Sequence, residues 1–205
     1  MARFRGPRLK VCRTLGVILP GLTSESTLKR PFPPGQHGAR RKGKLSNFKE
    51  RLVEKQKLRF HYGIQERQFR RYMVEASRMK GASGRNLITL LESRLDNVVW
   101  RLGLAHTIPS SRQLVVHGHI LVNGVRTDRP NFKVKPGDVV SVHTKDRQKK
   151  FIQERLDHAA SRVRPGYLEF DPATYSGKMT VRPEREDLPF ECNPQAIVEF
   201  YSQQL

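Results

Sequence analysis

The chain has 205 residues, of which 39 are lysine or arginine and 19 are aspartate or glutamate, so its formal net charge is +20. A surface this basic attracts phosphate backbones, so nucleic acid is the expected partner, with an anionic membrane surface as the alternative. No run of about 18 apolar residues occurs and the N-terminus lacks the apolar region of a secretory signal, so we expect a soluble, cytoplasmic protein.

The first 47 residues carry half of the net charge. They hold eleven lysines or arginines and one acid, Glu25, together with a Gly/Pro-rich run over 33–38. Such a segment repels itself and has little apolar periodicity, so we predict an extended arm that is ordered on a polyanion. The basic residues of the arm that we predict to contact RNA are Arg3, Arg5, Arg8, Lys10, Arg13, Arg40, Arg41 and Lys44.

Two amphipathic helices are predicted after the arm. Asn47 followed by Glu50 is typical of a helix start, and helical spacing continues to Gly63. The apolar stripe of a second helix, over 65–80, consists of Phe69, Tyr72, Met73, Ala76 and Met79. The opposite face carries Arg67, Arg71 and Arg78. The excess of positive charge favours phosphate contact for these arginines, and a solvated surface is the alternative.

Residues 87–143 change from helical to strand periodicity. The predicted elements are a helix over 86–102, a helix over 110–117, a strand over 120–122, a turn at Asn123-Gly124, a return strand over 125–127 and a third strand around 140–142. Together they predict a compact unit of two or three helices against a small twisted sheet.

The C-terminal part differs in charge from the rest. Residues 165–205 hold three basic and seven acidic residues, which favours protein contacts over phosphate. We predict a helix over 151–160, a turn-rich stretch with at most short strands over 169–188, and a last helix from Asn193-Pro194. The predicted divisions are an arm (1–47), a helical domain (48–85) onto which 181–205 packs, an RNA-binding module (86–150), and a helix and turn-rich connection (151–180).

No pattern of catalytic residues is present, and we expect no enzyme activity. His117 and His119 could suggest a metal site, but we expect the two side chains to point to opposite sides, with no acid or cysteine near them. Cys12 and Cys192 lack neighbouring histidines, so we expect two reduced thiols.

The start of the helix over 110–117 is a candidate anion site. Its free N–H groups, the hydroxyls of Ser110 and Ser111, and the guanidinium of Arg112 can all bind a phosphate. Lys133 and Lys135 follow near the same sheet edge. This combination is suited to recognition of RNA shape and backbone rather than of base identity.

Several blocks of sequence in one order resemble the family of bacterial-type ribosomal small-subunit protein four along essentially the whole chain. The matching blocks are 3–7 (RFRGP), 34–38 (PGQHG), 54–59 (EKQKLR), 62–63 (YG), 66–69 (ERQF), 90–99 (LLESRLDNVV), 112–115 (RQLV), 122–124 (VNG) and 199–202 (EFYS). The module also resembles the small RNA-binding domain named after this family, which recurs in pseudouridine synthases and tyrosyl-tRNA synthetases.

The resemblance implies an α+β fold, mostly α, with an extended basic N-terminal arm, a helical domain and an inserted module of two helices and an antiparallel β-hairpin. It implies a primary binder of the 5′ domain of small-subunit ribosomal RNA, which nucleates assembly of the subunit body. It also implies contact with small-subunit protein five, an effect on translational accuracy together with protein twelve, and a position near the channel by which messenger RNA enters, with Arg40, Arg41 and Lys44 there. Beyond the arm, the RNA-binding residues predicted from the patterns and the resemblance are Lys55, Lys57, Arg59, Arg67, Arg70, Arg71, Arg112, Gln113, His117, His119, Asn123 and Lys133.

The chain departs from some members of that family at a four-cysteine zinc site near the N-terminus. Only Cys12 matches a ligand position, and Leu9 stands where a first cysteine would be. We therefore expect no zinc and no other cofactor, and an arm that is ordered by RNA alone.

Two other functions remain as alternatives. An RNA-modifying enzyme such as a pseudouridine synthase uses the same kind of module, but it needs a catalytic domain with a nucleophilic aspartate, and the flanking sequences offer no candidate. A free-standing RNA chaperone or repressor would be found mainly outside ribosomal particles.

Overall fold

The structure is a computed structural model that describes residues 4, 6–23, 29–40, 43, 45–143, 154 and 164–202. The chain divides into two compact units. The first consists of Met1–Leu87 with Pro189–Leu205, and the second of Ile88–Leu188.

Helices predominate in the described residues. The helices are α1 (Arg8–Leu15), α2 (Asn47–His61), α3 (Glu66–Arg78), α4 (Ser83–Glu92), α5 (Leu95–Arg101), α6 (Ile108–Val116) and α7 (Pro194–Ser202), with a short 3-10 helix at Arg185–Asp187. The strands are β1 (Ile120–Val122), β2 (Val125–Arg126), β3 (Val139–Val142), β4 (Leu168–Asp171) and β5 (Ser176–Met179). The predicted α+β class is confirmed. None of the described helices is long and apolar enough to cross a membrane. The helix predicted over 151–160 lies, apart from Glu154, outside the described residues.

The arm contains a helix that the sequence analysis did not predict. Pro7 precedes α1, and Gly16 follows it with a φ of 71°, so these two residues mark the ends of the helix. Cys12 is fully buried and forms a small apolar cluster with Leu19 and Leu22. Burial of these side chains stabilises a local structure in a segment whose high charge predicts an extended arm.

Helices α2, α3 and α7 form the core of the first unit. The side chain of Ser46, rather than the predicted Asn47, caps α2 by accepting a hydrogen bond from the backbone N–H of Lys49 at 3.3 Å. The rings of Phe69 and Tyr201 stack with their centres 5.9 Å apart. The buried apolar residues of these helices are Leu58, Phe69, Tyr72, Met73, Ala76, Ile197, Phe200 and Tyr201. The helical stripe predicted on α3 is the face that packs.

The prediction of one apolar helix over 86–102 is wrong, because this stretch contains two helices, α4 and α5. At the break, the backbone N–H of Leu95 donates to the carbonyl of Phe132 at 2.9 Å, and the N–H of Val134 donates to the carbonyl of Ser93 at 2.8 Å. Arg94 also forms an isolated antiparallel bridge with Lys133. At this break, backbone groups that would bond within one continuous helix bond to residues 130–134 instead. These bonds hold the loop after β2 against α4 and α5.

The sheet of the second unit is antiparallel, in the order β2-β1-β3-β5-β4. The predicted hairpin β1–β2 is confirmed, and Asn123 (φ 50°) and Gly124 (φ 81°) both adopt the left-handed conformation of a type I′ turn. Strands β4 and β5 lie in the stretch that we assigned to a connection, and they complete the sheet instead. A Cβ on Gly177 of β5 would lie 2.3 Å from a methyl carbon of Leu102, so this strand requires glycine to pack against the end of α5.

Candidate nucleic-acid interface

The basic residues of α2 are engaged inside the first unit. Lys55 is buried; its Nζ lies 3.0 Å from Oε1 of Glu66 and 4.5 Å from the centre of the Phe200 ring. Nζ of Lys57 lies 2.5 Å from Oε1 of Glu54. Both predicted RNA contacts are therefore ion-paired within the first unit, and their contact with RNA stays a prediction.

Arg59 is held in the same way. One of its terminal nitrogens donates to Oε1 of Gln56 at 3.0 Å, its Nε lies 3.6 Å from Glu66, and its guanidinium lies 5.0 Å from the centre of the Phe60 ring. Its side chain is 27% exposed. Arg59 therefore packs on the surface of α2 rather than extending from it.

The outer face of α3 is the strongest basic surface of the first unit. Arg67, Arg70, Arg71 and Arg78 are exposed on the side opposite the buried stripe. With Val74 and Glu75 they line a shallow open groove. A row of guanidinium groups along a rigid helix can follow a phosphate backbone, because each group can donate two parallel hydrogen bonds to one phosphate. We name these four arginines the α3 arginine face.

The arm offers further cations at the surface. Lys10 and Arg40 are exposed. Arg8 and Arg13 are half-buried and bind the arm to itself: Arg8 donates to the carbonyl of Leu22 at 3.4 Å, and Nε of Arg13 donates to the carbonyl of Phe32 at 3.0 Å. The predicted contacts at Arg3, Arg5, Arg41 and Lys44 lie outside the described residues.

The predicted anion site at the start of α6 is occupied by the protein itself. The side chain of Thr107 caps the helix by accepting from the N–H of Ser110 at 3.3 Å. Ser111 is fully buried, and its hydroxyl, which has one proton to donate, lies within hydrogen-bond distance of the backbone carbonyls of both Asp96 and Ile108. The hydroxyl of Ser111 and the helix cap are therefore not available to a phosphate, which corrects the expectation from the sequence.

Arg112 lies over a buried ion pair. Asp96 accepts hydrogen bonds from Arg94 at 3.0 and 2.6 Å, and a terminal nitrogen of Arg112 lies 3.7 Å from the same carboxylate. Arg94 and Asp96 are buried, whereas the Arg112 side chain is 15% exposed. Two guanidinium groups thus approach one buried carboxylate at this end of α6. Gln113, beside it, is exposed.

A second buried network joins α4 and α5 to the C-terminal part of the second unit. Both carboxylate oxygens of Glu92 accept hydrogen bonds from Arg101, and Oε2 also accepts from the side chain of Asn97 at 2.7 Å and from the hydroxyl of Tyr167 at 2.8 Å. Arg101 continues to the backbone carbonyl of Asp187 at 2.6 Å. Burial and, after it, the charge of Glu92 raise the pKa of Tyr167 well above its ordinary value.

Asn123 holds two turns together. Its amide group donates to Asp138 at 2.8 Å, and its side-chain oxygen accepts from the backbone N–H of Val139 at 2.8 Å. Asn123 thus positions the hairpin tip, and since it is exposed, its contact with RNA stays a prediction. Lys133 is half-buried, with its backbone paired to Arg94.

His117 and His119 lie on the same side of the chain, contrary to the prediction. Gly118 between them has a φ of 72°, and the two ring centres are 6.1 Å apart. Within the described part of the chain, no group of three or more His, Cys, Asp or Glu side chains is arranged to hold a metal ion. The pair can instead offer imidazole N–H groups to one anion.

The sequence analysis missed the positioning roles of Glu92 and Asp96. A signal was present, because charged residues inside an otherwise apolar helical run conflict with the local pattern, and such conflicts mark special sites.

Comparison with known proteins covers the whole chain. The family described as ribosomal protein S4/S9 N-terminal domain matches residues 3–92, and the S4 domain family matches residues 93–140. The small ribosomal subunit protein uS4 of Geobacillus stearothermophilus is 51% identical over 202 residues, which is 98% of this chain and 100% of that protein. The proteins of the same name from Picosynechococcus and Thermosynechococcus vestitus are 49% and 48% identical, over 98% and 100% of both chains respectively. The chain belongs to the ribosomal protein S4 family.

Proposed function

We propose that this chain is a structural constituent of the small ribosomal subunit that binds the subunit's ribosomal RNA and has no catalytic activity. The observation that carries the proposal is full-length similarity, at about half identity, to proteins named as components of that subunit. The α3 arginine face and the exposed Lys10 and Arg40 supply the cations that such a role needs.

Within that role, we propose that the chain is a primary binder of the 5′ domain and nucleates assembly of the subunit body. The first unit carries the α3 arginine face on a rigid helix, and the second exposes Arg126 on β2. Guanidinium groups held on rigid elements suit recognition of an RNA backbone by its shape.

We propose that small-subunit protein five contacts the groove between α2 and α7. Glu50, Glu54 and Glu199 line this groove together with Arg51 and Lys57, which pair with Glu199 at 2.9 Å and with Glu54 at 2.5 Å. Phe48, next to Asn47 of the same groove, is 55% exposed. Paired charges beside an exposed aromatic ring suit a protein partner better than RNA. An effect on translational accuracy, together with protein twelve, would act through this contact.

We propose further that the basic segment around Arg40 lies near incoming messenger RNA, and that the chain works in the cytoplasm without zinc or another cofactor. The exposure of Arg40 supports the first point. Burial of Cys12 among Leu19 and Leu22 supports the absence of zinc, because an apolar cluster disfavours the thiolate that binds a metal.

The experiment is sedimentation of the tagged protein from cells on a sucrose gradient. A structural constituent co-sediments with small subunits and remains there after a high-salt wash. Recovery mainly at the top of the gradient would contradict the proposal and favour the free RNA chaperone or repressor.

A further inference from the structure

Arg126, on the edge strand β2, is an exposed cation that the fold holds in one place. One terminal nitrogen of its guanidinium donates to the backbone carbonyl of His117 at 3.2 Å. Its neighbours in the sheet fix its backbone, because Arg126 pairs with Leu121 of β1. The side chain thus reaches back across the hairpin to the His117-Gly118-His119 turn.

Gly118 forms the seat for this guanidinium. A Cβ on Gly118 would lie 2.0 Å from Nε of Arg126 and 2.4 Å from Cζ, so any other residue would displace the group. The same glycine has a φ of 72°, which brings the rings of His117 and His119 to 6.1 Å from each other. One turn therefore holds the guanidinium through the His117 carbonyl and carries the two imidazoles on either side of Gly118.

The charge of Arg126 is not neutralised by the protein. Lys55, Lys57, Arg94 and Arg101 are each held by a carboxylate of their own unit. Among the described residues, Arg126 makes no ion pair, and its one hydrogen bond uses one of the five N–H donors of an arginine.

The acid of the adjoining turn is engaged elsewhere. Asp138 accepts from the side chain of Asn123 and from the backbone N–H of Lys135, both at 2.8 Å. A preorganised cation with donors to spare and no internal counter-ion is suited to an external anion, because little side-chain entropy is lost on binding.

We propose that Arg126, His117 and His119 form a binding subsite for one phosphodiester of the RNA, with Gly118 as the seat of the guanidinium. Arg126 supplies the charge and up to two parallel hydrogen bonds, and the exposed imidazole of His117 can supply a further N–H donor. The subsite rests on the proposed function, since its ligand is the RNA that the chain binds there. It adds to the sequence analysis a cation that no motif singled out.

The test is equilibrium binding of the full-length protein to the 5′ domain of small-subunit ribosomal RNA, with excess unrelated RNA, across a range of salt concentrations. The variants are Arg126→Gln, Gly118→Ala and, as a control, Lys178→Gln. Lys178 is exposed in β5, three strands away from β2 in the same sheet, and its replacement removes the same charge. Thermal unfolding verifies that all variants are folded.

We expect Arg126→Gln to bind about tenfold more weakly, the lower end for a hydrogen bond to a charged group, and to reduce the slope of log affinity against log salt by about 0.7–0.9. Lys178→Gln should leave both unchanged. Gly118→Ala keeps the charge but displaces the guanidinium, so it should weaken binding to a similar extent. If Gly118→Ala keeps the wild-type affinity and salt dependence while Arg126→Gln loses affinity, the proposed role of Gly118 in positioning the guanidinium is wrong.

The two proposals fail in different ways. If the wild-type protein binds the 5′ domain and Arg126→Gln behaves like Lys178→Gln, the subsite is overturned while the proposed function stands. If the excess of unrelated RNA displaces the wild-type protein from the 5′ domain, the proposed function is overturned, and the subsite is overturned with it.

Discussion

The guanidinium of Arg94 and the carboxylate of Asp96, two residues apart in the chain, form a buried pair of hydrogen bonds at 3.0 and 2.6 Å. The pair lies where α4 ends and α5 begins, at the point where residues 130–134 bond to the backbone. It thus fixes a helix break from which both α6 and the loop after β2 are positioned. A buried ion pair of this kind adds specificity more than net stability.

Asp96→Asn should destabilise the chain strongly. The amide cannot balance the charge of the buried Arg94, and an uncompensated buried charge costs about 3–5 kcal/mol. Urea unfolding measures the change in the free energy of unfolding. The control is Asp128→Asn, an exposed acid of the same unit, for which we expect almost no change. Equal stability of the two variants would contradict the assigned role of Asp96.

Replacing three arginines of the α3 arginine face should weaken RNA binding without unfolding the chain. For Arg67→Gln, Arg71→Gln and Arg78→Gln together, the slope of log affinity against log salt should fall by about 0.7–0.9 for each phosphate lost. The matched control replaces Lys178, Arg182 and Arg185, three exposed cations of the second unit, by glutamine. A slope that falls equally in both triple variants would show that only net charge matters.

Lys55 and Lys10 should separate stability from binding. Lys55→Gln removes a buried cation from Glu66 and the Phe200 ring, and we expect a loss of about 1.5–3 kcal/mol in the free energy of unfolding. Lys10→Gln, at an exposed position of α1, should weaken RNA binding with unchanged stability. Melting curves and binding isotherms of both variants test this. Weaker RNA binding with unchanged stability in Lys55→Gln would show that Lys55 contacts the RNA.

Tyr167→Phe should cost about 1–3 kcal/mol, because Glu92 loses a buried hydrogen-bond donor. The raised pKa of Tyr167 also predicts the pH dependence. The folded state holds the phenol proton more tightly than the unfolded state, so this contribution is complete below the ordinary tyrosine pKa of about 10 and is lost as the pH rises above it. Tyr167→Phe should therefore lose less stability than the wild type between about pH 9 and 11. Parallel curves would contradict the pKa assignment.

The sequence predicted the elements whose pattern is local. The α3 stripe, the type I′ turn at Asn123-Gly124 and the helix after Asn193-Pro194 follow from side-chain periodicity and turn chemistry, which a single segment contains in full. The break at Arg94 could not be predicted in this way, because its cause is pairing with residues 130–134, far along the chain. Strands β4 and β5 are short; β5 pairs with β3, which is distant in the chain, and β4 pairs with β5.

The sequence predicts that the candidate site is basic, but it does not predict which of the basic side chains are left unpaired. Positive charge indicates phosphate binding but does not tell which cations a fold neutralises for itself. Lys55 and Lys57 find partners at Glu66 and Glu54, whereas Arg126 finds none among the described residues. Only the three-dimensional arrangement distinguishes these two groups of cations, because the acids that pair with them are brought close by packing.

The most direct test of the central claim is equilibrium binding of the purified chain to the 5′ domain of small-subunit ribosomal RNA, titrated with salt against an excess of unrelated RNA. We predict tight binding that survives the competitor and has a steep dependence on salt concentration. Binding that collapses on addition of the competitor would contradict the claim and leave only a polycation without preference for this RNA.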